Sequence, residues 1–272
     1  MSTAEKLDHG TESEVLYDLD GAIATITLNA PHRMNTISRP MLEGLAEYLV
    51  RANEDADVRC VILTATGRAF CAGLDLKSTL GGGGASLVAA PPTTLDLRNA
   101  PPTVLHQMDT PIICALNGSA AGYGMDTALG CDIRVMADDA KMSAAFTRRG
   151  VLPESGGTWI LPRLIGWSRA AEIIFTGKTL SAAECLEMGL VSRVVPRDRV
   201  LEEARAIAAD VATNAPLAVK AAKRMMRMGL DQPFAEHVHH VFLQLLPLLR
   251  SEDATEGMKA FLEKREPRFR GR

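Results

Sequence analysis

Aromatic residues are scarce in this sequence, and neither sign of charge is in large excess. Phe, Trp and Tyr make up 4% of the 272 residues, and 30 Lys and Arg stand against 33 Asp and Glu, a formal net charge of −3. Such a chain lacks the uniform positive field that nucleic-acid and anionic-membrane surfaces require. We therefore expect no nucleic acid and no membrane as partner. Few aromatics beside many small residues favour an α/β protein with close helix-on-sheet packing.

Long apolar runs and paired cysteines are also missing. The longest apolar runs, 58–65 and 111–116, fall far short of the roughly 20 residues that cross a bilayer. Residues 1–13 contain no apolar stretch, so we expect a mobile tail rather than a targeting peptide. The five cysteines are odd in number and never spaced C-x-x-C, which indicates a reducing, cytoplasmic location.

The first two thirds of the chain alternate between strand and helix patterns. Alternating residues around Asp20-Gly21 predict a β-hairpin over 15–28. Helical spacing over 40–53 and the apolar run at 58–63 predict a helix followed by a buried strand. After a long glycine- and proline-rich loop that includes Gly81 to Gly84, the alternation resumes, with strands predicted at 111–116 and 132–136 and a helix at 121–129.

Helical patterns replace this alternation beyond Ser168. Helices are predicted at 169–175, 182–188, 200–213, 217–228 and, with interruptions, 234–269, so the C-terminal third is expected to be all-helical. An apolar stripe in the last of these could lie in the core or form an interface between subunits; it comprises Val238, Val241, Phe242, Leu245, Leu246 and Leu249.

Several familiar motifs are incomplete. The glycines at 122 and 124 lack the third glycine of a dinucleotide fingerprint, since Thr127 stands there. The segment 176–179 imitates the end of a phosphate-binding loop, but Glu172 occupies the place of its first glycine. The histidines between 237 and 240 have no matching ligand spacing, and no G-x-S-x-G elbow exists. We therefore expect no nicotinamide, flavin, nucleotide or metal cofactor.

Two turns of small residues follow buried strands, at 69–76 and 117–126. Each leads toward a predicted helix, whose first N–H groups are unpaired and carry a partial positive charge. Two such turns aimed at one point could bind the developing oxyanion of a thioester or another polarised carbonyl. Turns of this composition also serve as structure alone, and this alternative stays open.

Four segments in this order resemble the signature of the crotonase superfamily, in its enoyl-CoA hydratase/isomerase branch: AFCAGLDL, then NGSAAGYGMD with CDIRV behind it, then PESGGTWILPRLIGWSRAAE, then FTGKTLSAAECLEMGLVSRVV. The resemblance covers about residues 14–266. It implies a spiral core of ββα repeats over 14–199 and a helical region over 200–272 that forms a trimer or a dimer of trimers. It also implies an acyl-CoA thioester as substrate, with coenzyme A present only as part of that substrate.

The same resemblance assigns roles to residues. The oxyanion donors would be the backbone N–H groups of Ala72 and Tyr123, although the family usually has Gly or Ala at the second place. The tyrosine side chain must therefore point away or shape the acyl pocket. The coenzyme would be bound by residues of both subunits, with the last two approaching from a neighbour: Arg33, Ala69, Gly73, Leu74, Phe261 and Lys264.

The proton-carrying residues depart from the hydratase pattern. Of the two glutamates that hold water in hydratases, the first maps to Asp126 and the second to Phe146, which cannot move a proton. Glu154 falls where double-bond isomerases carry a carboxylate, and Asp126 matches an aspartate of dienoyl-CoA isomerases. Two carboxylates over one thioester can shuttle a proton between carbons or share a water.

The resulting prediction is an enoyl-CoA hydratase/isomerase that acts on fatty enoyl-CoA thioesters through an enolate. One alternative is a double-bond isomerase of enoyl- or dienoyl-CoA, which the phenylalanine favours. Another is a member of the family that binds acyl-CoA without turnover. Glu154 could also be a helix-start acid that only interacts with the helix dipole.

Overall fold

An antiparallel hairpin opens the fold. The computed structural model describes residues 13–75 and 98–272, so residues 1–12 of the predicted tail and the run from Gly81 to Gly84 lie outside the described residues. Strands β1 (Val15–Asp20) and β2 (Ile23–Leu28) pair across a turn in which Gly21 has a φ of 57°. The hairpin predicted from the Asp-Gly pair is confirmed.

Successive strands then enter two different sheets. A six-stranded sheet has the order β1-β2-β3-β5-β7-β10, and a four-stranded sheet has the order β4-β6-β8-β9. Only β1 with β2 and β8 with β9 are antiparallel among these pairs. The remaining strands are β3 (Cys60–Ala65), β4 (Ala69–Cys71), β5 (Ile112–Leu116), β6 (Ser119–Ala121), β7 (Ile133–Ala137), β8 (Lys141–Ser143), β9 (Thr179–Ser181) and β10 (Arg193–Val195).

The helices cover these sheets and extend beyond them. They are α1 (Arg39–Glu54), α2 (Pro101–Gln107), α3 (Tyr123–Leu129), α4 (Gly157–Ile165), α5 (Trp167–Thr176), α6 (Ala182–Glu187), α7 (Val200–Ala212), α8 (Pro216–Gly229), α9 (Phe234–Leu248) and α10 (Glu252–Glu263). The predicted helix at 40–53 is confirmed as α1, whose first turn is capped by the Ser38 hydroxyl. None of the helices in 13–75 and 98–272 is long and apolar enough to span a bilayer.

The C-terminal third is not entirely helical, because β10 lies within it. Helix α7 buries Val200, Ala204 and Ala208 and packs against β3, β5 and β7, so the chain beyond residue 200 begins as part of the main core. Helix α9 differs, because none of its residues is buried. Its apolar stripe is therefore on the surface of the single chain.

Helix α3 is fixed at both ends within the core. All seven of its residues are buried. Beyond its C-terminal end, the buried Arg134 guanidinium donates to carbonyl oxygens of Leu129, Cys131 and Leu190. A cation placed there stabilises the negative end of the helix dipole. At the other end, Gly124 lies against the backbone of Cys71 in β4, where a Cβ would be 2.4 Å from the Cys71 carbonyl oxygen.

This close approach predicts that Gly124→Ala destabilises the protein. The added methyl group would overlap the Cys71 backbone, and overpacking of this kind costs about 1–3 kcal/mol. Gly44→Ala is the matched control, because its Cβ would meet Val15 at an ordinary 3.4 Å inside α1, where alanine favours the helix by up to about 1 kcal/mol. Urea unfolding measures both; equal stability of Gly124→Ala and the unchanged protein would contradict the tight α3 to β4 contact.

Candidate active site

The two predicted turns meet in the folded chain. The turn after β4 and the turn before α3 touch through their backbones: a Cβ at Gly73 would lie 3.0 Å from the Ala121 carbonyl oxygen. Gly73 has a φ of 96° and Gly122 a φ of 52°, conformations that glycine adopts without strain. The two turns predicted within 69–76 and 117–126 therefore lie side by side and form one candidate site.

Among the described residues of the first turn, Leu74 rather than Ala72 has an amide without a hydrogen-bond partner. The N–H of Ala72 donates to the Met34 carbonyl at 3.1 Å, so the prediction of Ala72 as an oxyanion donor conflicts with this geometry. On either side of Leu74, the backbone is hydrogen-bonded to Ile37. The Gly73 carbonyl accepts from the Ile37 N–H at 2.8 Å, and the Asp75 N–H donates to the Ile37 carbonyl at 3.1 Å. The Leu74 N–H faces the opposite way and has no hydrogen-bond partner in the described part of the chain.

The second turn presents the amide of Tyr123. This residue begins α3, and the first backbone bond of the helix runs from the Asp126 N–H to the Gly122 carbonyl at 3.1 Å. The Tyr123 N–H precedes that bond, as expected for the unpaired first donors of a helix. Its side chain is buried, and burial with the nearby Glu154 charge raises the phenol pKa. The ring therefore shares the surroundings of the carboxyl groups.

Asp126 is almost completely enclosed. Its residue is 2% exposed, and its Oδ2 accepts a hydrogen bond from the Gly157 N–H at 3.1 Å. A Cβ at Gly157 would lie 2.3 Å from Oδ1, so only glycine allows this approach. Burial raises the pKa of Asp126 to about 7, and the Glu154 charge adds to this, while the Gly157 amide opposes it.

Glu154 lies at the edge of the same site, in the turn that leads to α4. Its residue is exposed, yet partial desolvation raises the pKa of its carboxyl. Its charge acts on both Tyr123 and Asp126. The structure thus brings together the two carboxyl groups that the sequence analysis paired.

Phe146 places a phenyl ring at the position where the resemblance would put a second carboxylate. Its residue is buried, and a Cβ at Gly122 would lie 3.9 Å from its ring carbon Cε1. The ring therefore packs beside the Gly122 turn that presents the Tyr123 amide. It can exclude water there, but it can neither donate nor accept a proton.

Asn35 is a positioning residue that the sequence analysis missed. It is fully buried, and its side chain accepts from the Ala30 N–H and donates to the carbonyls of Thr66 and Ala69, at 2.7, 2.8 and 2.9 Å. This network fixes the segment whose Met34 carbonyl binds the Ala72 amide. Asn35 has a φ of 52°, and the tolerance of asparagine for this conformation was the available signal.

The residues expected to bind coenzyme A fall into two groups. Ala69, Gly73 and Leu74 lie in or next to the first turn. Arg33 lies beside this turn, because its Nη1 is 3.8 Å from the Asp75 carboxylate. Its Nη2 also pairs with the Glu14 carboxylate at 2.6 Å. Phe261 and Lys264 instead lie at the exposed end of α10, where the phenylalanine is 83% exposed.

Comparison with known proteins identifies relatives of the whole chain. The family model described as enoyl-CoA hydratase/isomerase matches residues 18–272. The (E)-benzylidenesuccinyl-CoA hydratase of Thauera aromatica is 36% identical, over 94% of this chain and 99% of that protein. The 1,2-epoxyphenylacetyl-CoA isomerase of Escherichia coli is 35% identical, over 95% and 98%. The crystal structure of an enoyl-CoA hydratase from Mycobacterium tuberculosis superimposes with a TM-score of 0.88, at 32% identity, covering 96% of this chain and 100% of that one.

The raised pKa of Asp126 predicts a pH-dependent stability. The folded state keeps this proton up to about pH 7, whereas the unfolded chain releases it near 3.8. Stability from this group is therefore complete below about pH 4 and lost as the pH rises to 7. Asp126→Asn should raise the free energy of unfolding at pH 8 by up to about 4 kcal/mol, since the two pKa values of Asp126 differ by about three units and each unit corresponds to about 1.4 kcal/mol.

Urea unfolding at pH 4 and pH 8 checks this expectation. The gain should be present at pH 8 and nearly absent at pH 4. Asp18→Asn, at an exposed position of β1, is the control and should change little at either pH. A lower stability of Asp126→Asn at pH 8 would contradict the buried, costly carboxylate.

Proposed function

Because the chain belongs to the enoyl-CoA hydratase/isomerase family, we propose that its two turns hold the thioester oxygen of an enoyl-CoA and that Asp126 and Glu154 move the protons. The predicted crotonase fold and the predicted enzyme class are confirmed by the family match and the structural superposition. The residue roles below are proposals that rest on the geometry.

The oxyanion donors in this proposal are the N–H groups of Leu74 and Tyr123. Leu74 replaces Ala72 because its amide has no partner among residues 13–75 and 98–272, whereas that of Ala72 binds Met34. Removal of one preorganised donor typically costs a factor of about 100 to 1,000 in turnover. Two backbone donors on touching turns need no reorganisation when charge develops on the thioester oxygen, so they stabilise the enolate more than the substrate.

The observation that carries the proposed chemistry is the difference between the two carboxyl groups. Asp126 is enclosed, and its pKa of about 7 leaves much of it protonated near neutral pH. Glu154 lies at the edge, where its carboxylate can accept a proton. Groups whose surroundings separate their protonation states serve as the acid and the base of one reaction. Glu154 is therefore the proposed base and Asp126 the proposed acid. In hydration, the base takes a proton from the water that attacks C3 and the acid protonates the α-carbon; in isomerisation, the base takes the α-proton and the acid protonates C4.

Isomerisation of a double bond is the second candidate, and Phe146 favours it. A hydratase must hold a water between two polar groups, whereas the phenyl ring beside Gly122 offers none. Moving a proton from one carbon to another requires only a base and an acid. The named relatives include both a hydratase and an isomerase, so the two reactions must be compared directly. Turnover of any enoyl-CoA would exclude a member that only binds its ligand.

Binding of the coenzyme is proposed to involve Arg33, Ala69 and Gly73 of one subunit with Phe261 and Lys264 of a neighbour. The reaction needs no cofactor beyond the coenzyme A of its substrate, because only protons and one water move. Fatty acyl chains remain the proposed substrates. All five cysteines are buried, unpaired thiols, which supports the proposed cytoplasmic location.

Glu154→Gln tests the proposed base. The amide keeps the shape but loses basicity, so turnover should fall by about 100- to 10,000-fold, the usual range for general acid–base catalysis. Both a 2-enoyl and a 3-enoyl thioester should be assayed, with solvent deuterium exchange at the α-carbon as a third measurement. Glu187→Gln, on the exposed side of α6, is the control. Wild-type rates in all three assays would assign Glu154 the role of a helix-start acid.

The exposed stripe of α9 predicts a homo-oligomer, proposed as a trimer or a dimer of trimers. Leu246 is 51% exposed within a helix that buries none of its residues, so light scattering should give about three or six times the chain mass of 29.2 kDa. Leu246→Glu places a charge in the apolar contact and should shift the protein toward monomer. Leu16→Glu, at a similarly exposed leucine of β1, should not. A monomeric unchanged protein at micromolar concentration would overturn the interface.

A further inference from the structure

The Ser155 hydroxyl is buried without a hydrogen-bond partner. The residue is 3% exposed, and its Oγ bonds to no other group in the described part of the chain. A buried hydroxyl without a partner destabilises the folded state relative to a hydrogen-bonded one. Such a group at the edge of the candidate active site calls for an explanation in terms of function.

The backbone of the same residue faces Asp126. The Ser155 and Gly157 amides both act on the Asp126 carboxyl, and the second donates to Oδ2 at 3.1 Å. The serine hydroxyl and amide are on one residue, and rotation about its Cα–Cβ bond (χ1) moves Oγ among three staggered positions. A rotation about this single bond can therefore bring the hydroxyl to the carboxyl group that its amide already faces.

Another serine of this protein makes that double contact. At the start of α6, Ser181 donates to Glu184 Oε2 with both its N–H, at 2.8 Å, and its hydroxyl, at 3.0 Å. These two bonds lower the pKa of Glu184. The Ser155 turn precedes α4 in a similar way, but its carboxyl partner comes from α3 and its hydroxyl is unused.

We propose that Ser155 is a positioning residue whose hydroxyl turns to donate to the Asp126 carboxylate each time Asp126 gives up its proton, and turns away when the proton returns. This inference rests on the proposed function, in which Asp126 protonates the enolate carbon. The proton that forms the new C–H bond comes from Asp126 alone; Ser155 supplies a hydrogen bond and keeps its own proton. Because Oγ is enclosed, it acts through Asp126 and does not touch the substrate.

The expected signature is a change in the protonation of Asp126. A hydrogen bond to the charged form of an acid favours that form. Without the hydroxyl, the carboxylate would keep only the amide donors, and its pKa should rise by about one unit. The other titratable groups facing Asp126 are Glu154, in the same turn, whose charge adds to burial in raising the Asp126 pKa, and Tyr123, at the start of α3, whose own pKa is raised by burial and by the charges of Glu154 and Asp126.

Ser155→Ala, with aspartate labelled by carbon-13, measures this signature. The carboxyl resonance of Asp126, assigned through Asp126→Asn, should titrate about one pH unit higher in Ser155→Ala, and the matching limb of the kcat/KM profile should move in the same direction. Ser155→Thr retains a hydroxyl and should titrate like the unchanged protein. Thr110→Val is the control, because Thr110 Oγ1 is also buried without a partner but precedes β5.

The outcomes separate this inference from the proposed function. An unshifted Asp126 resonance in Ser155→Ala, or an equal shift in Thr110→Val, would overturn the role of Ser155. The titration requires no substrate, so it remains decisive even if Asp126→Asn turns over at the wild-type rate, a result that would refute the proposed acid instead. Circular dichroism should show unchanged folding of Ser155→Ala, since the variant removes one unsatisfied oxygen.

Discussion

The contact between the Asp126 carboxyl and the Gly157 amide is the constraint on which the site depends. A buried carboxyl group is costly unless polar partners compensate it, and here one partner is the first N–H of α4 at 3.1 Å. Because Asp126 belongs to α3, this bond joins the helix that presents the Tyr123 amide to the turn that carries Glu154. A side chain at residue 157 would separate the two. The proposed acid, the proposed base and one proposed oxyanion donor are thus positioned together.

Local patterns were sufficient for the elements that depend on neighbouring residues. The hairpin follows from Asp20-Gly21, and α1 follows from apolar spacing and a serine cap. Strands β9 and β10 were missed because each has three residues and neither is an apolar run. Their pairing comes from β8 and β7, which lie far away in the sequence. Such edge strands are determined by the sheet they join.

The candidate site shows the same difference between features set by local sequence and features set by distant contacts. The resemblance identified Asp126 and Glu154 because residue types at a motif position can be read directly. It predicted Ala72 as the first oxyanion donor, whereas we propose Leu74, since the choice between them depends on which amide the Met34 carbonyl binds. That carbonyl is directed by positive φ angles at Met34 and Asn35 and by three side-chain bonds of Asn35. Such contacts cannot be predicted from the spacing of residues in the sequence.

Phe146 and the raised pKa of Asp126 are related consequences of one apolar environment. A second carboxylate beside the Gly122 turn would admit water and add negative charge, whereas the phenyl ring and the surrounding core exclude water. Exclusion of water keeps the proton on Asp126 near neutral pH and also strengthens the attraction between backbone amides and a developing oxyanion. Glu154, at the more exposed edge, stays able to accept a proton. Replacing one acid by an aromatic ring therefore does not simply remove a catalytic group. It changes a pair of similar carboxylates into an enclosed carboxyl group and an exposed one, the arrangement that the proposed transfer of protons between two carbons uses.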